Sequence, residues 1–195
     1  LGTPGRAIRR ARVHDGDIVA IYGAGPLGLS AAQLSKAFGA RTVIVVDRIA
    51  SRLEMAKELG ADVVIDASRE DPVKKIWELT SEGVDVGFEI AGHNPVTGVQ
   101  VLESVKVGGR VHFTGENSQL TINPSRHIVH NQVTITGNWG MYRGDFEENL
   151  SLVLNGKVKL GKIITHRFRL DDIETAFNKV LDREKERVGK VVINP

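Results

Sequence analysis

The stretch DIVAIYGAGPLGLSAAQLSKAFGARTVIVVDR, residues 17–48, decides the fold. A β-branched run leads directly into Gly23, Gly25 and Gly28, which are spaced G-x-G-x-x-G, and a helical pattern opens with Pro26 in its first turn. A second β-branched run, TVIVV, follows the helical pattern. A strand, a glycine turn, a helix and a strand in this order predict the first βαβ unit of a doubly wound parallel sheet.

Each glycine of the turn has a physical role if the turn holds a dinucleotide. Gly23 permits a tight turn, Gly25 lets backbone N–H groups approach a pyrophosphate, and Gly28 lets the helix pack closely on the strand. The helix dipole also favours an anion at this end, so we predict a pyrophosphate site. The helix is expected to cover the sheet with one apolar face. That face consists of Leu27, Ala31, Leu34 and Phe38.

An acidic residue ends the second strand of this unit. Asp47 lies where a carboxylate accepts hydrogen bonds from the adenosine ribose hydroxyls. A 2′-phosphate about 4 Å away would be repelled by about 4 kcal/mol per unit charge at an effective dielectric constant of about 20, so NAD is favoured over NADP. Arg48 could turn toward a 2′-phosphate and reduce this preference, or it could be a solvated strand-end charge. A glycine turn used for packing alone and a methyltransferase remain alternatives, although methyltransferases usually space their glycines differently.

Short β-branched runs alternate with helical patterns along the following part of the chain. This alternation is typical of a parallel sheet with crossover helices. We predict an α/β fold, namely a Rossmann-type, doubly wound sheet of six parallel strands. The strands are expected near residues 17–22, 42–46, 62–66, 84–90, 109–114 and 132–138.

Two helix starts carry recognisable capping patterns. Thr3 and Pro4 suit the N-cap and the first position of a helix that leads into the sheet. Ser51 and Glu54 have the spacing of a capping box. We therefore expect helices to begin at these two places.

The pattern changes near residue 162. A strand, a helix and a final strand follow, and they do not continue the βα repeat. We therefore divide the chain into an NAD-binding Rossmann domain with its lead-in helix, residues 1–161, and a separate segment, residues 162–195.

Composition excludes several classes of partner and site. The formal net charge is +2, and the basic runs RRAR (9–12) and REKER (183–187) are interpreted as solvated helix faces, so we predict no nucleic-acid partner. The absence of cysteine excludes disulfides and cysteine-ligated zinc within the chain. No apolar run approaches the roughly 20 residues of a membrane span, so we expect no membrane partner and a cytoplasmic location.

The histidines do not predict a site. His127 and His130 are spaced to share one helix face, but no third ligand is close in sequence, and a partly exposed short helix is the preferred interpretation. His93 is interpreted as a loop residue near the cofactor crevice, and His112 has no partner that the sequence identifies. No Ser, His and Asp arrangement suggests a nucleophilic triad. We therefore predict neither a metal ligand nor a catalytic residue in the chain.

The order of the motifs resembles a known family. The medium-chain, zinc-dependent alcohol and polyol dehydrogenases, in particular the sorbitol, butanediol and threonine dehydrogenase branch, carry similar segments along the whole chain. The resemblance implies an NAD-dependent oxidoreductase that transfers hydride between nicotinamide and a secondary alcohol or its ketone. The similar segments are GDIVAIYGAGPLGLSAAQLSKAFGA, VVDRIASRLEMAKELGAD, VDVGFEIAG, GGRVHFTG and THRFRLDDIETAFNKV.

The resemblance also implies which residues contact the cofactor. The loop around the pyrophosphate, the acid and base near the adenosine ribose, and backbone groups beyond the later strands all have counterparts here. For the pyrophosphate and adenosine they are Gly23, Gly25, Pro26, Leu27, Gly28, Asp47, Arg48, Arg52, Ala91 and Gly92. For the nicotinamide carboxamide they are Thr114, Gly115, Asn138 and Gly140.

The resemblance places the catalytic machinery outside this chain. In the similar enzymes the zinc ligands, the proton relay and most of the substrate pocket lie in an N-terminal domain, so zinc is expected only there and the chain alone is expected to be inactive. Residues 162–195 resemble the segment that returns to complete the catalytic domain. Their apolar residues Ile173, Phe177 and Val180 are therefore expected to lack a packing surface.

The resemblance also implies an assembly and leaves alternatives open. The sixth strand, in QVTITGNW, is expected to pair two copies of the chain edge to edge in a homo-oligomer. The expected partners are thus the dinucleotide, a small alcohol or polyol in the full-length protein, and a second copy. A stand-alone dinucleotide-binding or redox-sensing module and a zinc-free relative of the quinone reductases are the alternatives.

Overall fold

Six parallel strands form the central sheet of the computed structural model, which describes residues 1–195. Their spatial order is third, second, first, fourth, fifth and sixth, and every neighbouring pair is parallel. The order reverses between the first and fourth strands, which opens a crevice at their carboxyl ends. The predicted Rossmann-type fold is confirmed. The strands are β1 (Ile18–Tyr22), β2 (Thr42–Asp47), β3 (Val63–Asp66), β4 (Val84–Glu89), β5 (Val105–Phe113) and β6 (Thr134–Gly137).

Seven α-helices accompany the strands. Because successive strand side chains point to opposite faces, Val43 and Val45 of β2 face one helical layer, whereas Ile44 and Val46 face the other. Both faces of the sheet are thus buried, as is usual for a parallel sheet. None of the helices has the length and apolar character of a membrane span. The helices are α1 (Gly2–Arg10), α2 (Pro26–Ala37), α3 (Ala50–Glu58), α4 (Pro72–Thr80), α5 (Pro95–Ser104), α6 (Arg143–Leu154) and α7 (Ile173–Leu181).

The helix α2 is buried on nearly all sides and not on one face. Residues 28–35 are all buried, because α1 packs against α2 and adds Ile8 to the same core. The prediction that α2 covers the sheet with a single apolar face is therefore only partly right. Ala31 and Leu34 lie in the core, but Leu27 at the start of the helix is 40% exposed.

Both predicted helix starts are wrong by a few residues. The helix α1 begins before Thr3, so Thr3 and Pro4 are inside the helix and do not cap it. The helix α3 begins before Ser51, and the expected capping box with Glu54 does not form. Instead, the Asp47 carboxylate at the end of β2 accepts hydrogen bonds from the backbone N–H groups of Arg48 and Ile49, which directly precede α3. The capping pattern of Ser51 and Glu54 therefore did not decide where the helix begins.

The C-terminal segment forms a second, two-stranded sheet. The strands β7 (Ile164–Arg169) and β8 (Lys190–Asn194) pair in parallel, and α7 connects them. One side of α7 is packed, since Ala176 is 2% exposed. The other side, which we call the bare face of α7, is open to solvent, because Ile173, Phe177 and Val180 are 42%, 65% and 39% exposed. This agrees with the expectation that these three residues lack a packing surface. The division of the chain at residue 162 stays a prediction.

Candidate cofactor site

A cleft of about 1120 Å³ opens at the carboxyl ends of β1, β2 and β4. This is the position at which the strand order reverses, and open α/β sheets bind their ligands there. Half of the predicted site residues line the cleft and are thus brought together from three separate parts of the sequence. They are Gly23, Gly25, Asp47, Arg48, Arg52, Ala91 and Gly92.

Two of the three glycines in the glycine loop have no room for a side chain, and the third faces open space. Gly23 has a φ of 109°, and a Cβ there would lie 2.8 Å from the Ala91 nitrogen. A Cβ on Gly28 would overlap the Gly23 carbonyl oxygen. Gly25 differs, because a Cβ there would meet no atom within 4 Å. No side chain caps the start of α2, so its first N–H groups and the Gly25 backbone face a space suited to an anion.

The Asp47 carboxylate holds the glycine loop and the start of α3 together. Its Oδ2 accepts the Ala24 N–H at 2.7 Å, and its Oδ1 accepts the N–H groups of Arg48 and Ile49 at 2.7 and 2.9 Å. A carboxylate has about four acceptor positions, so room remains for a ribose hydroxyl. In the sequence alone this carboxylate has no identified hydrogen-bond partner. Three backbone dipoles directed at it weaken the expected repulsion of a 2′-phosphate.

The basic run at residues 183–187 lines the cleft in a turn after α7, so it does not lie on a helix face as predicted, although its residues are exposed. Arg187 binds Glu58 of α3 through both guanidinium nitrogens, at 2.9 and 2.5 Å. Ser51 donates to the Glu186 carbonyl at 3.4 Å. These bonds place residues 183–187, which we call the tail turn, opposite the end of β2. The local pattern contained no signal for them, because the partners lie more than a hundred residues away.

Arg52 occupies the space between the end of β2 and the tail turn. Its Nε is buried without a hydrogen-bond partner. Burial lowers the pKa of the Arg52 guanidinium, nearby Asp47 opposes that shift, and Arg183 adds to it. A buried donor without an acceptor is costly, which indicates that this side of the cleft is suited to an anion or another acceptor.

A second carboxyl group, Glu89 at the end of β4, was missed by the sequence analysis. It is fully buried and accepts hydrogen bonds from the Gly92 N–H at 3.0 Å, the Thr97 hydroxyl at 2.8 Å and the Asn117 amide at 3.2 Å. Burial raises the pKa of Glu89 in spite of these bonds. Glu89 thereby joins the loops after β4 and β5. The only sequence signal is that Glu89, like Asp85, is a charged residue within the otherwise apolar segment VDVGFEI.

The residues predicted for the nicotinamide end do not line this cleft. Thr114 and Gly115 follow β5, where the Thr114 Oγ1 is buried without a partner and Gly115 packs against Glu89. Asn138 follows β6 and donates to the Gly140 carbonyl at 2.9 Å. Their assignment stays a prediction. Pro26, Leu27 and Gly28 also lie outside the cleft lining, in the first turn of α2.

Of the four histidines considered in the sequence, His112 and His127 have side-chain hydrogen bonds. His127 is buried and His130 is exposed, so the structure does not place their imidazoles on one face. His93 has a φ of 52°, and its backbone N–H donates to the Glu116 carbonyl at 2.6 Å. His112, for which the sequence identified no partner, is fully buried and bonds Thr136 and Asn138 at 2.7 and 2.6 Å.

The sequence pattern of a family described as "Zinc-binding dehydrogenase" matches residues 26–155. The chain belongs to this family. The resemblance inferred from the ordered motifs is thereby confirmed.

Individual dehydrogenases are similar over nine tenths of the chain or more. L-Threonine 3-dehydrogenase from Bacillus licheniformis is 35% identical over 180 residues, which cover 91% of this chain and 51% of that protein. The crystal structure of 2R,3R-butanediol dehydrogenase from Bacillus subtilis superimposes with a TM-score of 0.91 and 32% identity, covering 100% of this chain and 55% of that one. A Sinorhizobium meliloti structure, assigned as a zinc-binding dehydrogenase and bound to NADP, has a TM-score of 0.87 and 27% identity, covering 99% and 58%. The chain thus spans about half the length of the relatives it matches.

Proposed function

We propose that the cleft at the carboxyl ends of β1, β2 and β4 binds NAD(H), and that the chain is the dinucleotide-binding part of an alcohol or polyol dehydrogenase. The observation that carries the proposal is the glycine loop. Gly25 faces open space at the uncapped start of α2 and adjoins Ala24, whose amide Asp47 binds. Membership in the zinc-binding dehydrogenase family supports the reaction class.

Each part of the cleft has a distinct role in this proposal. The N–H groups of the glycine loop and of the first turn of α2 donate to the pyrophosphate. Asp47 accepts a hydroxyl of the adenosine ribose through its remaining acceptor position. Ala91 and Gly92 flank the adenosine from the end of β4. The nicotinamide carboxamide is assigned to the backbone beyond β5 and β6, at Thr114, Gly115, Asn138 and Gly140.

The proposed substrate is a secondary alcohol or its ketone. The names of the relatives, L-threonine 3-dehydrogenase and 2R,3R-butanediol dehydrogenase, support this class. The structure contains no group of three or more His, Cys, Asp or Glu side chains that could hold a metal ion, so residues 1–195 do not fit the zinc that the family name implies. Since a Lewis acid polarises the carbonyl and lowers the pKa of the alcohol in such chemistry, we propose that this chain alone binds cofactor without turnover.

Two exposed surfaces suit an assembled enzyme. The strand β6 lies at an edge of the sheet with Ile135 37% exposed, and an unpaired edge is a template for strand pairing. We propose that two copies pair through β6. The bare face of α7 is proposed to pack against a part of the enzyme outside residues 1–195.

The proposal is tested by titrating the chain calorimetrically with NADH and comparing the variant Gly25→Ala. Gly25 has a φ of −69°, which any residue adopts, and its added Cβ would meet no protein atom within 4 Å. The variant should therefore fold normally but hold the pyrophosphate away from the backbone. We expect its Kd for NADH to rise at least about tenfold.

The matched control is Gly144→Ala in α6, where an added Cβ also meets no atom within 4 Å. Its NADH affinity should equal that of the unchanged chain. Equal NADH affinity in Gly25→Ala and the unchanged chain would show that the glycine loop does not hold the pyrophosphate.

A further inference from the structure

A buried histidine joins β5 to β6 and to the turn that follows β6. His112 of β5 is fully buried, and its ring centroid lies 5.8 Å from that of Phe88. Its Nδ1 lies 2.7 Å from the hydroxyl oxygen of Thr136, which is its partner across the strands. Its Nε2 lies 2.6 Å from the Oδ1 of Asn138, which directly follows β6. Both imidazole nitrogens therefore have a partner.

The other partners of the Asn138 side chain fix the direction of these hydrogen bonds. The Asn138 Nδ2 donates to the Gly140 carbonyl at 2.9 Å and to the Thr3 carbonyl at 3.4 Å, so its Oδ1 is the acceptor that faces His112. The Nε2 of His112 therefore carries a proton. Burial lowers the pKa of the His112 imidazole, so the ring is neutral near pH 7, and its Nδ1 accepts from the Thr136 hydroxyl.

The turn of residues 138–140 depends on the orientation of the Asn138 side chain. Its backbone is joined to β5 by the Asn138 N–H, which donates to the Phe113 carbonyl at 3.3 Å. Trp139 is 81% exposed, so its side chain does not anchor the turn. The Asn138 amide, which His112 holds, closes the turn on the Gly140 carbonyl.

The same turn is assigned to the nicotinamide carboxamide in the proposed function. A loop that is held in its bound conformation before the ligand arrives loses less entropy on binding, which raises affinity. His112 is fully buried, so it can influence the cofactor only through the residues that it holds.

We propose that His112 is a positioning residue for the nicotinamide end of the cofactor. Its Nε2–H group orients the Asn138 side chain, and Asn138 in turn holds residues 138–140 in the conformation that binds the carboxamide. This inference rests on the proposed function, since it concerns one end of the same site.

The test compares two ligands, NADH and ADP-ribose. ADP-ribose retains the adenosine, the pyrophosphate and the second ribose but lacks the nicotinamide, so the ratio of the two Kd values measures the contribution of the nicotinamide. In calorimetric titrations of the unchanged chain we expect NADH to bind about tenfold more tightly than ADP-ribose. His112→Leu should raise the Kd for NADH about tenfold and that for ADP-ribose less than about twofold, because only NADH carries the carboxamide.

Two amide variants distinguish the two nitrogens of His112. The side-chain nitrogen of glutamine reaches as far as the Nε2 of histidine, whereas that of asparagine reaches only as far as Nδ1. His112→Gln can therefore donate to Asn138 and should keep the Kd for NADH within about threefold of that of the unchanged chain. His112→Asn can reach only Thr136 and should lose NADH affinity as His112→Leu does. Both variants keep a polar side chain, so this pair decides the question even where His112→Leu does not fold.

Thr136→Val is the matched control, since it removes the other partner of His112 and leaves the bond to Asn138 in place. It should lower the melting temperature and leave the ratio of the two Kd values unchanged. Equal losses for NADH and ADP-ribose in His112→Leu, or equal NADH affinity in His112→Gln and His112→Asn, overturn the positioning role. Equal affinity of the unchanged chain for both ligands also overturns it and leaves dinucleotide binding intact. Binding of neither ligand contradicts the proposed function itself.

Discussion

Phe88 of β4 and Phe177 of α7 have identical side chains in opposite environments. Phe88 is fully buried at the centre of the sheet, whereas Phe177 is 65% exposed on the bare face of α7. Both lie at positions where a sequence pattern predicts burial. The difference is that Phe88 has a helical layer packed over its face of the sheet, and α7 has no element of residues 1–195 packed over its outer face.

The six-stranded sheet and the C-terminal segment therefore obtain their stability differently. Helices α1–α3 cover one face of the sheet and α4 and α5 the other, so its apolar residues contribute fully to folding. The segment of β7, α7 and β8 buries only one side of its helix. It contacts α3 where Gly189 approaches Met55 and through exposed polar pairs such as Arg187 and Glu58. Exposed pairs contribute about 0–1 kcal/mol each.

The largest expected effect is the loss of stability in Phe88→Ala. Truncating this buried ring should lower the free energy of unfolding by about 3–5 kcal/mol, because it removes apolar burial and leaves a cavity. Phe177→Ala removes the same atoms from an exposed position and should change stability by less than about 0.5 kcal/mol. Urea denaturation of the chain and both variants measures the difference.

The two phenylalanine variants also test whether the outer face of α7 is bare in solution. A loss of more than about 2 kcal/mol in Phe177→Ala would show that this face is packed, for example between two copies of the chain. In that case the loss should depend on protein concentration, since subunit association contributes to apparent stability.

An intermediate effect on stability is expected from Glu89, which lies in the six-stranded sheet at the end of β4. Burial raises its pKa above the ordinary value of 4.5, so the folded chain holds this proton more tightly than the unfolded chain. The resulting contribution to stability is present below about pH 4.5 and is lost as the pH rises through the raised pKa. Glu89→Gln cannot ionise and should lack this loss.

We therefore expect the free energy of unfolding of Glu89→Gln to rise relative to that of the unchanged chain as the pH increases from about 4 to 7. Each unit of pKa shift corresponds to about 1.4 kcal/mol. Urea denaturation of both proteins at several pH values measures the difference. Parallel pH profiles would mean that the Glu89 carboxyl ionises equally well in the folded and unfolded states.

The comparison explains which features the sequence could predict. The glycine loop, β1, α2 and β2 were predicted because their determinants lie within the single stretch 17–48. The tail turn was not, because the bond from Arg187 to Glu58 joins residues 129 apart. Glu89 was missed for a related reason, since its partners come from two loops that approach only when β4 and β5 pair. Local patterns specify elements, and only the fold shows which polar groups meet.

The smallest expected effect concerns Thr114, at the carboxyl end of the same sheet. Its Oγ1 is buried without a hydrogen-bond partner, so Thr114→Val should leave stability unchanged or raise it by about 1 kcal/mol. Thr97→Val is the matched control, with the opposite expected sign, because the Thr97 hydroxyl oxygen lies 2.8 Å from both Glu89 Oε1 and the Asn94 carbonyl oxygen and can donate its one proton to either. Thermal unfolding measures both.

A loss of stability in Thr114→Val would mean that the hydroxyl has a partner in solution. A weaker affinity for NADH without such a loss would identify the hydroxyl as a cofactor contact and thereby support the assignment of the nicotinamide end to the region beyond β5.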